Sequence, residues 1–155
     1  MLFPDPLESL RRMYRSLKPG GGVCTMVFST PDANPCVAIL MSTAFQHVGI
    51  PPRDPFQPGS LFSLGKPGLI DELFKRAGFR DVATTKVKAP FKVPQTSGYL
   101  GFIRASASPI QQILGKLDAA GRKAAWTAME ERLAAFQTPG GFEGPNELLL
   151  TAARR

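Results

Sequence analysis

Residues 2–22 read Leu-Phe-Pro-Asp-Pro-Leu-Glu-Ser-Leu-Arg-Arg-Met-Tyr-Arg-Ser-Leu-Lys-Pro-Gly-Gly-Gly and run directly into Val-Cys-Thr-Met-Val-Phe at 23–28. The order is loop, helix, stop, strand. Asp5 is placed to cap the helix, Pro6 suits a first position whose N–H has no intrahelical acceptor, and Glu8 completes an Asp-x-x-Glu capping box. Leu7, Leu10, Tyr14 and Leu17 fall on one stripe, opposite Arg11, Arg12, Arg15 and Lys18. Pro19 and Gly20 end the helix. The strand that follows is nearly all apolar, which predicts cover on both faces of a sheet and burial of Cys24.

Outward from that strand, the pattern predicts a turn at Ser29–Pro35, then a helix over Cys36–Val48 closed by Gly49. Residues 50–62 are proline-rich and without periodicity, a long surface loop. Lys66–Phe79 reads as a second helix, with Leu69, Leu73, Phe74 and Ala77 as its stripe and Gly78 supplying a left-handed end. Asp81–Ala89 and Phe91–Val93 read as one strand interrupted at Pro90, hence an edge strand or one with a bulge, because proline cannot donate to a ladder. Short helices at Ser97–Ala107 and Ile110–Leu117 precede a longer one at Gly121–Phe136, with Ala125, Met129, Leu133 and Phe136 inward. Trp126 shares its spacing with Met129 and reads as core. Thr138–Pro145 is a Gly/Pro loop and Glu147–Ala153 a final strand. The fold class is α/β, with the 23–28 and 81–89 strands joined through helices as a parallel crossover requires.

The 155 residues make one domain's worth of chain. The net charge of +7 is spread at helix and strand spacing, not gathered into a basic arm, so it reads as solvated faces with nucleic acid as the minor alternative. The longest apolar run, near residues 37–45, is too short for a membrane span, and no secretory signal opens the chain. Two cysteines, Cys24 and Cys36, do not make a disulfide scaffold and are expected to stay reduced in a cytoplasm. His47 is the only histidine and has no acidic or cysteine cluster near it in sequence, so no metal site is expected.

The opening segment resembles the stretch past the fourth strand of class I S-adenosylmethionine-dependent methyltransferases of the ubiquinone/menaquinone-biosynthesis-like, type 11 group. Met1-Leu-Phe-Pro-Asp-Pro resembles their loop after strand four, and Leu17-Lys-Pro-Gly-Gly-Gly is similar to their lead-in to strand five. Asn34-Pro35 resembles the pair that follows that strand. Leu69–Val82 resembles their last helix and start of strand six, and Glu143-Gly-Pro-Asn-Glu-Leu-Leu-Leu-Thr-Ala-Ala-Arg their closing antiparallel strand. The resemblance implies a partial Rossmann-like methyltransferase fold, strands five to seven, in a single domain over 1–155 with a helical insertion at 97–136. The implied chemistry is methyl transfer from S-adenosylmethionine to a small acceptor.

Phe3 resembles a position lining the transfer pocket, while Asp32 and Asn34 fall in the loop at the carboxyl end of a strand, where α/β ligands bind. These three are the expected substrate-binding residues. No catalytic residue is assigned, since this transfer works largely by holding nucleophile and methyl in line. The family's Gly-x-Gly-x-Gly loop and its ribose-binding acidic residue come before the point at which this chain begins. Three glycine groups do not replace them. Gly20–Gly22 follows a helix and enters a strand, the reverse of a phosphate-cradling order. Gly98-x-x-Gly101 sits in the helical insertion, and Gly65-Lys66 is followed by Pro67 where a P-loop needs Ser or Thr. The chain is therefore expected to be the carboxyl-terminal half of such an enzyme, without cofactor binding of its own. The family's sheet order would leave strand 23–28 with one neighbour, its other edge open to a protein partner or to self-association. A non-catalytic interaction module using that edge and a basic nucleic-acid-binding domain are the alternative readings.

Overall fold

The computed structural model describes residues 3–155; the Met1-Leu2 start of the resemblance lies outside them. In chain order the elements are α1 (Pro6–Ser16), β1 (Gly22–Phe28), α2 (Pro35–Val48), α3 (Leu69–Arg76), β2 (Arg80–Lys88), β3 (Phe91–Val93), α4 (Thr96–Ser106), α5 (Ser108–Leu114), α6 (Ala119–Leu133), β4 (Gln137–Thr138), β5 (Gly141–Gly144) and β6 (Glu147–Arg154). The fold is mixed α/β. It gathers into two compact units, one of Met1–Ala33, Asp54–Ala89 and Glu147–Arg155, the other of Asn34–Arg53 and Pro90–Asn146.

In the first unit, Asp5 caps α1 by accepting from the Glu8 N–H at 2.9 Å. The carboxylate of Glu8 lies along the helix, accepting from Arg12 at 3.2 Å and Arg15 at 3.0 Å. Those guanidiniums, Arg15 foremost, hold it below the usual carboxylate range. Gly20, at φ 76°, turns the chain into β1.

The sheet order is β1-β6-β2, with β6 antiparallel to both neighbours. The two outer strands thus run in the same direction without touching, as the crossover reading requires. Val27, Leu149 and Ala153 share one face and join Leu10, Ile70, Leu73 and Phe74 in a single core. At the end of α3, Gly78 at φ 103° reverses the chain, and Phe79 packs back on Phe74 with centroids 5.2 Å apart.

The opposite face of the sheet departs from expectation. The registers place Cys24, Ala152 and Ala83 together, and Met26, Leu150 and Thr85 together. Cys24 is exposed, and Met26 is 61% exposed. The expectation of a strand covered on both faces, with Cys24 buried, is overturned: α1 and α3 pack in the core of the Val27 face, and the alternation of the strand sends Cys24 and Met26 to the other.

At the far edge, β2 carries a register shift between Arg80 and Ala83. Asp81 there sits at φ 52°, and Lys86 and Lys88 are exposed along the strand. These are devices that blunt an edge. β1 has none of them.

Pro90 separates two sheets; it does not merely interrupt one strand, because β3 leaves β2 to pair with β5 in the second unit. The expected Thr138–Pro145 loop is also corrected. It holds most of a hairpin, β4 to β5, in which the Thr138 hydroxyl accepts from Gly140 N–H and donates to Gly141 O. Around this second sheet, α2, α5 and α6 pack a core that includes Leu40, Leu114, Met129 and Leu133, with Tyr99 stacked on Phe142 at 4.9 Å. Trp126 belongs to that core, as its spacing predicts.

Candidate functional site

β1 delivers the chain at its carboxyl end into residues 29–33. Ser29 is buried, and its N–H donates to Glu147 O at 3.1 Å. Asp32 stands exposed in a short 3-10 turn, Pro31–Ala33, held by the Ala33 N–H donating to Thr30 O at 3.2 Å. The turn is a local consequence of Pro31 fixing φ where the strand ends.

Against this end of the strand lies the segment 62–65. Phe62 approaches Phe28 with ring centroids 6.0 Å apart, and Gly65 sits so close that a Cβ there would meet Ser29 O at 2.2 Å. The expected surface loop thus holds for residues 51–55, which are exposed, but turns inward at Phe62, which is buried with Ser63 and Leu64. Leu64 finds cover in the first unit's core and Phe62 beside the Phe28 ring, which the proline content of the segment does not reveal.

Phe3 is 49% exposed ahead of the α1 cap. Among the described residues it has no ring contact and Asp32 has no ion pair. Asn34 belongs to the second unit, fully buried at the N-terminal position of α2. Its carbonyl accepts from the Ala38 N–H at 3.1 Å, and its side chain makes no capping bond. Of the three expected substrate-binding residues, Asp32 is therefore presented to solvent at the carboxyl end of β1. Asn34 serves as the buried start of a helix, and Phe3 is an exposed ring.

His47, in the last turn of α2, is partly exposed. No group of three His, Cys, Asp or Glu side chains is gathered among the described residues. Burial pushes the Cys36 thiol up to about 11, so it is protonated and a poor nucleophile at neutral pH. The residues at the end of β1 offer a carboxylate and a packed loop, which can position a ligand but contain no nucleophile–base pair.

A concavity in the second unit has no contiguous signature in the linear sequence. Arg104 from α4, Gln111 from α5, and Arg122, Lys123, Trp126, Thr127 and Glu130 from α6 line a cleft of about 550 Å³ in the second unit. Three helices contribute, so no linear spacing announces it. The one available signal is α6 itself, where residues 122, 123, 126, 127 and 130 recur on one face.

No protein-family model matches the chain, and no curated protein matches it. Among solved structures, it is similar to Haemonchus contortus phosphoethanolamine N-methyltransferase 2 in complex with phosphomonomethylethanolamine and S-adenosylhomocysteine. The identity is 17% and the TM-score 0.45, over 99% of this chain and 31% of that one. The same enzyme in complex with S-adenosyl-L-methionine gives 16% identity and a TM-score of 0.40, over 99% and 30%. A protein of Bacillus halodurans C-125 assigned as a methyltransferase gives 16% identity and a TM-score of 0.48, over 98% of this chain and 63% of that one. The chain thus spans about a third of the first enzyme and under two thirds of the Bacillus protein.

Proposed function

We propose that this chain is the carboxyl-terminal portion of a class I S-adenosylmethionine-dependent methyltransferase fold, of the ubiquinone/menaquinone-biosynthesis-like group. In the complete enzyme it would help to shape the pocket for a small acceptor. The observation that carries the reading is the sheet order β1-β6-β2. An antiparallel closing strand lies directly beside β1, the neighbour that the resemblance assigns to strand five, and the opposite edge of β1 has no partner among the described residues.

The glycines support the second half of the reading, that the chain alone does not hold the cofactor. Gly20 and Gly21 stop α1, with Gly20 N–H donating to Arg155 O at 3.2 Å. Gly65 is pressed on Ser29, and Gly98 and Gly101 lie inside α4. None of these opens a helix after a strand with its backbone free to approach a ligand. The glycines present therefore do not make the cradle that the cofactor needs. Calorimetric titration of the chain with S-adenosylmethionine is expected to give no saturable heat. Saturable micromolar binding would overturn the claim that these residues do not hold the cofactor by themselves.

A second reading, a non-catalytic interaction module, is favoured by one asymmetry. The β2 edge is armoured by lysines and a register shift, whereas Gly22–Phe28 carries no charge and no proline along its open side. Such an edge can take up a strand of a partner protein or of a second copy.

A further inference from the structure

The cleft formed by α4, α5 and α6 is independent of the methyltransferase reading, and three cations from two of its helices line it together. Among the described residues Arg104, Arg122 and Lys123 form no ion pair with a carboxylate, although Glu130 lies on the same face of α6 as Arg122 and Lys123. Two of the three cations are nonetheless held. The Arg104 guanidinium lies 4.8 Å from the centroid of the Trp126 ring, and the Arg104 carbonyl accepts from Gln111 Nε2 at 2.7 Å, tying α4 to α5. Arg122 donates to Leu117 O at 2.7 Å, across the start of α6. Fixing a guanidinium by an aromatic face and a backbone carbonyl leaves its charge uncompensated and removes part of the ordering cost of binding.

We propose that this cleft binds the phosphate group of a small phosphomonoester. The volume falls within the roughly 300–1,000 Å³ typical of small-molecule sites. Arginine forks match phosphate oxygens two at a time, Lys123 adds a point charge, and Gln111 and Thr127 supply further hydrogen-bonding groups at the rim. Glu130 selects against a long polyanion. It follows Lys123 by two helical turns, about 10 Å along α6, so a nucleic-acid strand laid on this face would bring a second phosphate against a carboxylate. A monoester has its single anionic group at the cation end and leaves Glu130 free to accept from a hydroxyl or an amine on the rest of the ligand.

The chain contains one tryptophan, and it lies in this cleft. Fluorescence therefore reports directly on Arg104. Titration with glycerol 3-phosphate is expected to change Trp126 emission saturably in the submillimolar range, and high salt is expected to weaken the effect. Lys123→Gln and Arg104→Gln are each expected to weaken binding about tenfold, as loss of one charge-assisted contact does. Both side chains are exposed, so the far-ultraviolet circular dichroism stays that of the parent. If Arg104→Gln disturbs the helix pair, Lys123→Gln alone carries the test, since its side chain makes no hydrogen bond or ion pair among the described residues. Absence of saturable binding, equal binding by parent and Lys123→Gln, or tighter binding of an oligothymidylate than of glycerol 3-phosphate would each overturn the proposal.

Discussion

Gly65→Ala is expected to cost the first unit on the order of 3 kcal/mol, a loss from the tail of point-mutant effects reserved for named mechanisms. The mechanism here is backbone collision. A Cβ at residue 65 would stand 2.2 Å from Ser29 O, 2.8 Å from Ser29 C and 3.0 Å from Phe28 O. None of these is the flexible end of a side chain. Relief requires either the 62–65 segment to lift, uncovering buried Phe62 and Leu64, or the end of β1 to shift against β6. Both routes disturb the segment that presents Asp32. Gly101→Ala is the control: it lies inside α4 with nothing within 4 Å of its Cβ. That substitution is expected to be neutral or to stabilise by roughly 0.5–1 kcal/mol, through helix propensity. Urea unfolding of the two variants beside the parent checks the contrast. Equal midpoints would show that the loop does not press on the strand as described.

Phe74→Ala is expected to cost about 3–5 kcal/mol, the usual range for emptying a buried aromatic site. Phe74 is fully buried at the centre of the first unit's core, with Ile70 and Leu73 of α3 beside it. Its ring supports Phe79 at 5.2 Å, and Phe79 in turn meets the edge of Tyr14 from α1 at 5.2 Å. Truncation therefore loosens α1 as well as α3, in a core that those helices share with the three-stranded sheet and Leu64. With a urea slope of roughly 2 kcal/mol per M, the midpoint falls by about 2 M. Phe74→Leu keeps most of the volume and is expected to lose well under half as much. A smaller loss for alanine than for leucine would contradict the packing.

Chemistry written in single residues was legible in the sequence. Asp5 as a cap, Gly49 and Gly78 as left-handed stops and Pro90 as a strand breaker each act through their own backbone or side chain. The corresponding ends of α1, α2, α3 and β2 lie within a few residues of expectation. What depends on partners was not legible. Gly22–Phe28 is apolar throughout, but composition cannot say that only the Val27 face is covered, so the burial expected of Cys24 failed. The β4–β5 hairpin has strands of two and four residues, too short to show a period, and its Pro-Gly-Gly connection reads as loop. Asp32 and Asn34 stand two residues apart in sequence and have different fates, because one ends a strand's loop while the other starts a buried helix. The basic cleft is the extreme case, since residues 104, 111 and 122–130 meet only through the packing of three helices.

The central proposal, that β1 is the open edge of the sheet among the described residues, as expected for part of a methyltransferase-type sheet, is tested most directly by residue-resolved amide hydrogen exchange on the monomeric chain. The account predicts strong protection along β6, which is paired on both sides. Within Gly22–Phe28 it predicts alternation, with the N–H groups directed at β6 protected and those directed outward exchanging freely. Uniform protection across residues 22–28 in a monodisperse, cooperatively unfolding monomer would contradict it.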